Sequence, residues 1–267
     1  MVNGSPATGE VVFGVTAYNE EKFLGAVLRD VVSRSGDHCV LVVDDGSRDK
    51  TWDVASGWPG VCAVRHPENR GMAAAQITLL KEFLARFKGP DDILILIHGD
   101  GAMDLSEVDR FLERFRETDA DVILGSRLLW WGRNLKVRGL FRTFCDMAAT
   151  LLENVSFRTW LTSYGSGFRA WKRRGVERLD LDNLMSRGAS FDVEIVARAL
   201  LAGLVIAEVP IRALPRLRSS SYLLTSYASC VTRIIVRLGV LRWTTYGKPW
   251  PHQVSASPGT MPSRRPR

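Results

Sequence analysis

The sequence has few cysteines, and none is placed for a metal site or a disulfide framework. The four cysteines among 267 residues form no CxxC pair and no cluster with histidine. Structural zinc sites need closely spaced ligands of this kind, and disulfide-rich domains need a regular set of cysteines. We therefore expect neither, and a reducing compartment, the cytoplasm, is the simpler expectation.

Long apolar runs are lacking as well. No stretch approaches the roughly 20 consecutive apolar residues that span a bilayer, and the first residues, MVNGSPATGEV, lack the basic and apolar regions of a signal peptide. We expect a soluble protein, or one that contacts the inner face of a membrane peripherally. The net charge of +7 fits an anionic ligand or an acidic membrane surface. We expect no nucleic-acid partner.

Strand and helix signals alternate through the first half of the chain. Apolar, β-branched runs predict strands at 11–16, 39–43, 61–65, 92–97 and 122–124. Helical spacing predicts helices at 20–33, 50–56, 72–87 and 105–115. This order predicts an α/β fold with a mainly parallel, Rossmann-like sheet and helices on both faces.

The second half is less regular. Helices are predicted at 141–153 and 191–201, a strand at 204–209, and a short apolar piece at 168–171. An amphipathic helix with basic residues is predicted at 223–241, within a C-terminal segment 222–246. Residues 1–10 are expected to be flexible, and the Pro-, Ser- and Arg-rich tail 247–267 to be disordered.

Carboxylates end two of the predicted buried strands. VLVVDDGSRDKT carries Asp44 and Asp45 at its strand end, and ILILIHGDGAMD carries Asp100 between Gly99 and Gly101. The carboxyl ends of parallel strands meet at one edge of a sheet, where such sheets bind ligands. A core gains nothing from these acids, so we expect them to meet a metal ion, a base edge or a ribose.

Most of these motifs also have a purely structural interpretation. Asn19 in the cluster after the first strand could be a helix cap, and the Arg70–Gly71 pair before a helix could be a plain turn. A lone histidine such as His98 at a strand end is more often simply hydrogen-bonded. Asp104 is better explained as the N-cap of the helix that follows it.

The second half offers candidate residues with the same ambiguity. Asp192 and Glu194 stand near a predicted helix start, where acids are favourable for the helix dipole alone. Arg216 and Arg218, with the serines that follow them, form either a solvated loop or a clamp for phosphate oxygens. The order of all these motifs along the chain is more informative than any one of them.

In that order, the motifs AYNEE, VVDDGSRDKT, ENRG, HGDG, LGSR, SGFRAW, FDVE and AEVPIR resemble glycosyltransferase family 2, and within it the dolichyl-phosphate mannose synthase-like branch. The resemblance runs from about residue 11 to about residue 221. It implies a GT-A fold, with a nucleotide-sugar-binding half at 11–127 and an acceptor-binding half of the same domain at 128–221. The implied donor is a UDP-, GDP- or dTDP-linked sugar.

The resemblance also assigns roles to individual positions. Positions matching the family's contacts with base, ribose and the nucleotide loops are Ala17, Tyr18, Glu20, Asp45, Arg70 and Gly71. Asp45 matches the acid that recognises the base. Asp100 matches the metal acid, which implies Mg²⁺ or Mn²⁺, and Gly101 leaves space for the diphosphate. Arg127 matches the GSR position near the transferred sugar.

The sequence departs from the family at five positions. Thr16 replaces a common proline, His98 stands where the first acid of the metal pair often lies, and Ala102 where a glutamine frequently assists the metal. Ser163 replaces an aspartate before SGFR, and Tyr222 stands where lipid-phosphate transferases often carry lysine. The acceptor therefore stays open between a polyprenyl phosphate and the hydroxyl of a soluble small molecule.

These assignments predict an inverting transferase. Asp100, with His98 as a second candidate ligand, would anchor the cation, and Arg216 or Arg218 would offset the charge of the leaving diphosphate. A phosphate acceptor needs no base, whereas a hydroxyl needs a carboxylate to take its proton. Asp192 is the candidate base and Glu194 the reserve.

Two other classes of protein remain as alternatives. A nucleotidyltransferase would share the sheet and the metal, but the loop after its first strand is usually glycine-rich and basic, whereas AYNEE is acidic. A non-catalytic nucleotide-sugar-binding relative would fit the changes at His98, Ala102 and Ser163. The helix at 223–241 would suit either a membrane interface or packing within the domain or a homodimer.

Overall fold

The structure is a computed structural model that describes residues 9–214 apart from 36–38, 131, 133, 135–139, 185, 187 and 189. Arg216, Arg218, the predicted segment 222–246 and the tail 247–267 lie outside the described residues, as does most of the predicted N-terminal segment. The strands are β1 Val11–Ala17, β2 Val40–Asp44, β3 Val61–Arg65, β4 Ile93–His98, β5 Val122–Ser126, β6 Arg169–Lys172 and β7 Ile206–Pro210.

The helices overlap the predicted ranges, except for the short α6, which the sequence did not predict. They are α1 Leu24–Ser35, α2 Thr51–Ser56, α3 Met72–Arg86, α4 Val108–Glu117, α5 Leu140–Phe157, α6 Arg173–Val176 and α7 Phe191–Leu201. A short 3₁₀ turn, Leu105–Glu107, precedes α4, and Asp104 caps it by accepting a hydrogen bond from the Ser106 amide, as predicted. Helix α1 begins four residues later than predicted, because residues 21–23 form a turn.

The strands form one seven-stranded sheet in the order β3-β2-β1-β4-β6-β5-β7. β1 pairs in parallel with β2 and β4, and β5 pairs in parallel with β7. β6 runs antiparallel to both of its neighbours, β4 and β5. The predicted mainly parallel sheet is therefore confirmed. The short apolar piece predicted at 168–171 corresponds to β6. This strand lies between the parallel strands β3-β2-β1-β4 on one side and the parallel pair β5-β7 on the other.

Two apolar layers cover the sheet because successive side chains of a strand point to opposite faces. On one face, Val12 and its neighbours pack with α3 and α7, in a cluster that includes Leu79 and Ile195. On the other, Phe13 packs with α1 and α4, in a cluster that includes Leu28. With both faces covered, the polar side chains at the strand ends meet solvent only at the edges of the sheet.

Helix α5 leaves one apolar face exposed. Its exposed side chains, each between 54% and 75% accessible, are Leu140, Phe144, Met147, Leu151, Leu152 and Val155. Their spacing of three or four positions places most of them along one side of the helix. Contiguous apolar surface of this kind marks a site that contacts a protein, a membrane or a ligand. Within the described part of the chain, no helix is long and apolar enough to cross a membrane.

Candidate active site

The predicted acids lie at the same edge of the sheet. Asp45 directly follows β2 and Asp100 follows β4, and β1 lies between these two strands. Asp45 continues the pairing with β1 by donating its amide to the Ala17 carbonyl at 2.9 Å, and Gly99 does the same to Thr16 at 2.9 Å. Two strand spacings, about 10 Å in total, separate β2 from β4. Both acids therefore lie at the edge formed by the carboxyl ends of the parallel strands, as the sequence predicts.

Asp45 is held by backbone amides from the loop before α3. Its Oδ1 accepts from the Arg70 amide at 3.0 Å, and its Oδ2 from the Gly71 amide at 2.8 Å. Gly71 has a φ of 92°, a conformation that favours glycine. The Arg70–Gly71 pair is therefore more than a plain turn, because it binds the carboxylate that the family resemblance assigns to the base.

His66, which the sequence analysis did not single out, completes the surroundings of Asp45. Its Nδ1 lies 2.6 Å from Asp45 Oδ1, and its Nε2 lies 2.9 Å from the Thr78 hydroxyl on α3. His66 is 4% exposed. A signal was present in the sequence, since His66 immediately follows β3 and parallel pairing brings that end beside the end of β2.

The neighbouring carboxylate, Asp44, is committed to the fold. It is completely buried, accepts hydrogen bonds from the amide and hydroxyl of Ser47, and has Arg65 Nε at 3.1 Å from its second oxygen. Gly46 lies in the turn that connects Asp44 to Ser47. It has a φ of 68° and lies against the backbone of Glu68. The two adjacent acids therefore have the different surroundings expected of successive strand residues.

The loop after β1 is tied to the loop after β2. The Asn19 amide donates to the Ser47 hydroxyl at 2.9 Å, and Asn19 Oδ1 accepts from the Arg48 amide at 2.9 Å. Asn19 therefore joins the two loops, and its interpretation as a helix cap stays a prediction. The Glu20 amide donates to Thr51 at 2.7 Å. Tyr18 stands 37% exposed beside this junction, and Ala17 is buried.

Asp100 lies in a tight turn at the end of β4. Its Oδ1 accepts from the Ala102 amide at 3.0 Å, and Gly101 has a φ of 68°. His98 Nε2 lies 3.4 Å from Gln76 Nε2, and the ring packs against Gly167, where a Cβ would come within 2.5 Å of it.

No three His, Cys, Asp or Glu side chains of the described residues are grouped to hold a metal ion. A cation that takes one carboxylate, with phosphate oxygens and waters as its other ligands, remains compatible with Asp100. His98 is a less suitable ligand by its Nε2, which faces Gln76.

The two predicted bases both have charged partners. Asp192 on α7 pairs with Arg169, which is completely buried on β6. Burial lowers the pKa of the Arg169 guanidinium, and Asp192 offsets part of that effect. Glu194 is buried, accepts from the Ser186 amide at 2.7 Å and lies 3.4 Å from Arg198. Both acids do stand in the first turn of α7.

A second buried carboxylate organises the loop near Arg127. Glu208 on β7 accepts from the amides of Thr162 at 2.9 Å and Ser163 at 3.0 Å, and the Thr162 hydroxyl donates to Ser126 at 2.6 Å. Burial raises the pKa of Glu208 to about 7, and the hydrogen bonds from Thr162 and Ser163 oppose that rise. Arg127 follows Ser126 and is partly exposed, and its backbone carbonyl accepts a hydrogen bond from Asn134 Nδ2 at 2.8 Å.

The sheet order, the antiparallel strand β6 and the acids at the carboxyl ends of the strands define the GT-A class of glycosyltransferase fold. The glycosyl transferase family 2 model matches residues 13–174. The chain belongs to this family, in its dolichyl-phosphate mannose synthase-like branch, and is a glycosyltransferase.

Several curated relatives cover most of the chain. An undecaprenyl-phosphate mannosyltransferase of Micrococcus luteus is 31% identical over 204 residues, which are 74% of this chain and 80% of the relative. A polyprenol monophosphomannose synthase of Mycolicibacterium smegmatis is 28% identical over 204 residues, 74% of each chain.

Among solved structures, the glucosyl-3-phosphoglycerate synthase of Mycobacterium tuberculosis in complex with UDP has a TM-score of 0.64 at 19% identity. The match covers 88% of this chain and 81% of that one. The same enzyme with Mn²⁺, UDP-glucose and phosphoglyceric acid has a TM-score of 0.61 at 20% identity, over 87% and 81% of the two chains. This likeness supports the fold.

Proposed function

We propose that the protein transfers a hexosyl group from a nucleoside-diphosphate sugar to a polyprenyl phosphate, with inversion at the anomeric carbon. The acceptor phosphate oxygen forms a bond to that carbon as the bond to the diphosphate breaks, and the nucleoside diphosphate leaves. The observation that carries the acceptor assignment is the exposed apolar face of α5 (Leu140, Phe144, Met147, Leu151, Leu152 and Val155). The reaction would occur at the cytoplasmic face of a membrane.

The donor nucleotide would occupy the edge between β2 and β4. Asp45, with the Arg70–Gly71 amides behind it, would contact the base, and Tyr18 and Glu20 would contact base or ribose. Asp100 stands about two strand spacings away, a separation that suits a nucleotide whose base and diphosphate extend in opposite directions from the ribose. Arg127 would lie near the transferred sugar.

Asp100 is the residue that would hold a divalent cation, Mg²⁺ or Mn²⁺, against the diphosphate. When bound, such an ion neutralises the charge that develops on the leaving group. The turn at Asp100 fits this role because only one described hydrogen bond, from Ala102, engages its carboxylate. Arg216 and Arg218, outside the described residues, remain the proposed source of further positive charge.

A phosphate acceptor agrees with the surroundings of the two predicted bases. Asp192 pairs with Arg169 and Glu194 with Arg198. Both carboxylates are therefore already engaged in ion pairs. An acceptor phosphate is already anionic and needs no proton removed before attack. A hydroxyl acceptor would return Asp192 to the role of base, with Glu194 in reserve. The relatives named for undecaprenyl phosphate and polyprenol also support a lipid phosphate.

The direct test is transfer from radiolabelled UDP- or GDP-hexose, with Mn²⁺, to a polyprenyl phosphate in detergent. The matched control acceptor is the corresponding polyprenol, which lacks the phosphate. We expect a charged glycolipid and free nucleoside diphosphate only with the phosphate. Transfer to phosphoglyceric acid or another soluble acceptor instead would contradict the lipid assignment. Release of pyrophosphate would indicate a nucleotidyltransferase, and binding without turnover a non-catalytic relative.

The α5 face has its own test in vesicle co-sedimentation. Burying a Phe or Leu side chain is worth about 1.5–3 kcal/mol, so the variant Phe144→Ser/Leu151→Ser should bind vesicles at least about tenfold more weakly. Glu113→Ser, an exposed change on α4, is the control and should bind like the wild type. Vesicle binding unaffected by the α5 changes would exclude this face. A dimer in light scattering that these changes dissociate would indicate that α5 contacts a second copy.

A further inference from the structure

The Asp45 carboxylate has one hydrogen-bond position left for a ligand. A carboxylate offers about four acceptor positions, two on each oxygen. On Oδ1, His66 Nδ1 at 2.6 Å and the Arg70 amide at 3.0 Å fill both. On Oδ2, the Gly71 amide at 2.8 Å fills one. Asp45 is 2% exposed, so little of the carboxylate is open to a ligand.

His66 is fixed in the orientation that blocks Oδ1. Its Nε2 lies 2.9 Å from the Thr78 hydroxyl, and its own amide donates to the Asp44 carbonyl at 2.9 Å. An ionised carboxylate only accepts hydrogen bonds, so in the pair with ionised Asp45 it is Nδ1 that donates. The Thr78 hydroxyl can donate to Nε2 in the neutral ring. The backbone and α3 thus hold both ends of the imidazole.

The bases of nucleotides differ in what they present to a carboxylate. Uracil and thymine present a single donor, N3–H, between two carbonyl groups. Guanine presents two adjacent donors, N1–H and the 2-amino group, which are best met by two acceptor positions side by side. Cytosine presents one donor, its 4-amino group, directly beside an acceptor at N3, which a carboxylate repels.

We infer that His66 sets the base preference of the donor site: by filling Oδ1 of Asp45 it leaves one acceptor, which suits uracil or thymine and disfavours guanine. His66 is a positioning residue in this account, because it acts on the base through Asp45. The inference rests on the proposed use of a nucleoside-diphosphate sugar, with Asp45 at its base.

The expected discrimination follows from an unpaired donor. Leaving one buried donor without a partner costs about 1–3 kcal/mol, and each 1.4 kcal/mol is a factor of ten. The wild type should therefore bind GDP roughly 5- to 140-fold more weakly than UDP. dTDP should bind like UDP if the pocket admits the 5-methyl group, and CDP should bind weakly.

The test is calorimetric titration of the full chain with UDP, dTDP, GDP and CDP in the presence of Mn²⁺. His66→Leu removes the donor and frees Oδ1, whereas His66→Asn keeps an N–H in the place of Nδ1. Thr78→Val removes the hydroxyl that holds Nε2, and Thr78→Ser retains it. The measured quantity is the ratio of the GDP to the UDP dissociation constant, which partial loss of folded protein does not change.

We expect His66→Leu to lower that ratio by about tenfold or more and His66→Asn to preserve most of it. Thr78→Val should lower it less, and Thr78→Ser should leave it unchanged. GDP binding as tight as UDP binding by the wild type would overturn the inference and leave the transferase proposal standing. A ratio of the GDP to the UDP dissociation constant that is unchanged in His66→Leu would have the same two consequences. If the wild type bound none of the four nucleotides, both proposals would fall together.

Discussion

The ion pair between Arg169 and Asp192 offers the sharpest test of how this molecule is stabilised. Arg169 is 0% exposed and Asp192 6% exposed. Nε and Nη1 of Arg169 are buried and have no hydrogen-bond partner among the residues that the structure describes. We consider three variants: Arg169→Met, Asp192→Leu, and the two combined. Each single change leaves one buried charge unpaired, whereas the double change leaves none.

The expected change in the free energy of unfolding has opposite signs in the single and the double variants. Removing one member of a buried pair costs about 3–5 kcal/mol, while replacing both by apolar residues is often neutral or stabilising by about 1–4 kcal/mol. Since domains are stable by only about 5–15 kcal/mol, either single variant should lose a large share of its free energy of unfolding. The incomplete hydrogen bonding of Arg169 favours the stabilising end of the range for the double variant.

Urea unfolding followed by tryptophan fluorescence and circular dichroism measures these free energies. We expect a coupling energy of at least about 3 kcal/mol from the double-mutant cycle. Single variants that each lose less than about 1 kcal/mol would refute the account of a desolvated pair. Turnover of the double variant then tests whether the pair is needed for the reaction: full activity would limit both side chains to the fold, whereas a stable but inactive protein would indicate that at least one of them takes part in glycosyl transfer.

Three further predictions concern single positions. Burial raises the pKa of Glu153 from 4.5 to about 8, so the folded protein should lose up to about 5 kcal/mol of stability as pH rises from 4.5 to 9. Glu153→Gln should remove that slope in urea unfolding; an unchanged slope would contradict it. Gly46→Ala should destabilise strongly, because a Cβ there would meet the Glu68 carbonyl carbon at 2.3 Å. Gly60→Ala, whose Cβ would meet nothing within 4 Å at a similar φ of 76°, is the control and should cost about 1 kcal/mol; equal losses would refute the contact. Asp100→Ala should remove nearly all glycosyl transfer, and normal turnover would exclude its metal role.

Much of the fold follows from local pattern. The bounds of β3 and α7 match the predicted ranges, because uninterrupted apolar runs and helical spacing are local signals. The family was also identifiable, since its motifs stand at strand ends in a fixed order. The antiparallel placement of β6 between β4 and β5 was not predictable in this way. That pairing joins residues far apart in the chain, and no local pattern encodes it.

Part of the candidate site was likewise predictable from local sequence, and part depends on the tertiary structure. The sequence by itself indicated that Asp45 and Asp100 each follow a buried strand, because the end of an apolar run marks where the strand stops. Only the tertiary structure decided the partners: His66 and the Arg70–Gly71 amides around Asp45, and buried Arg169 against Asp192. The physical reason is that hydrogen bonds and ion pairs depend on distances of a few ångströms between segments, which packing of the whole sheet and its helices sets.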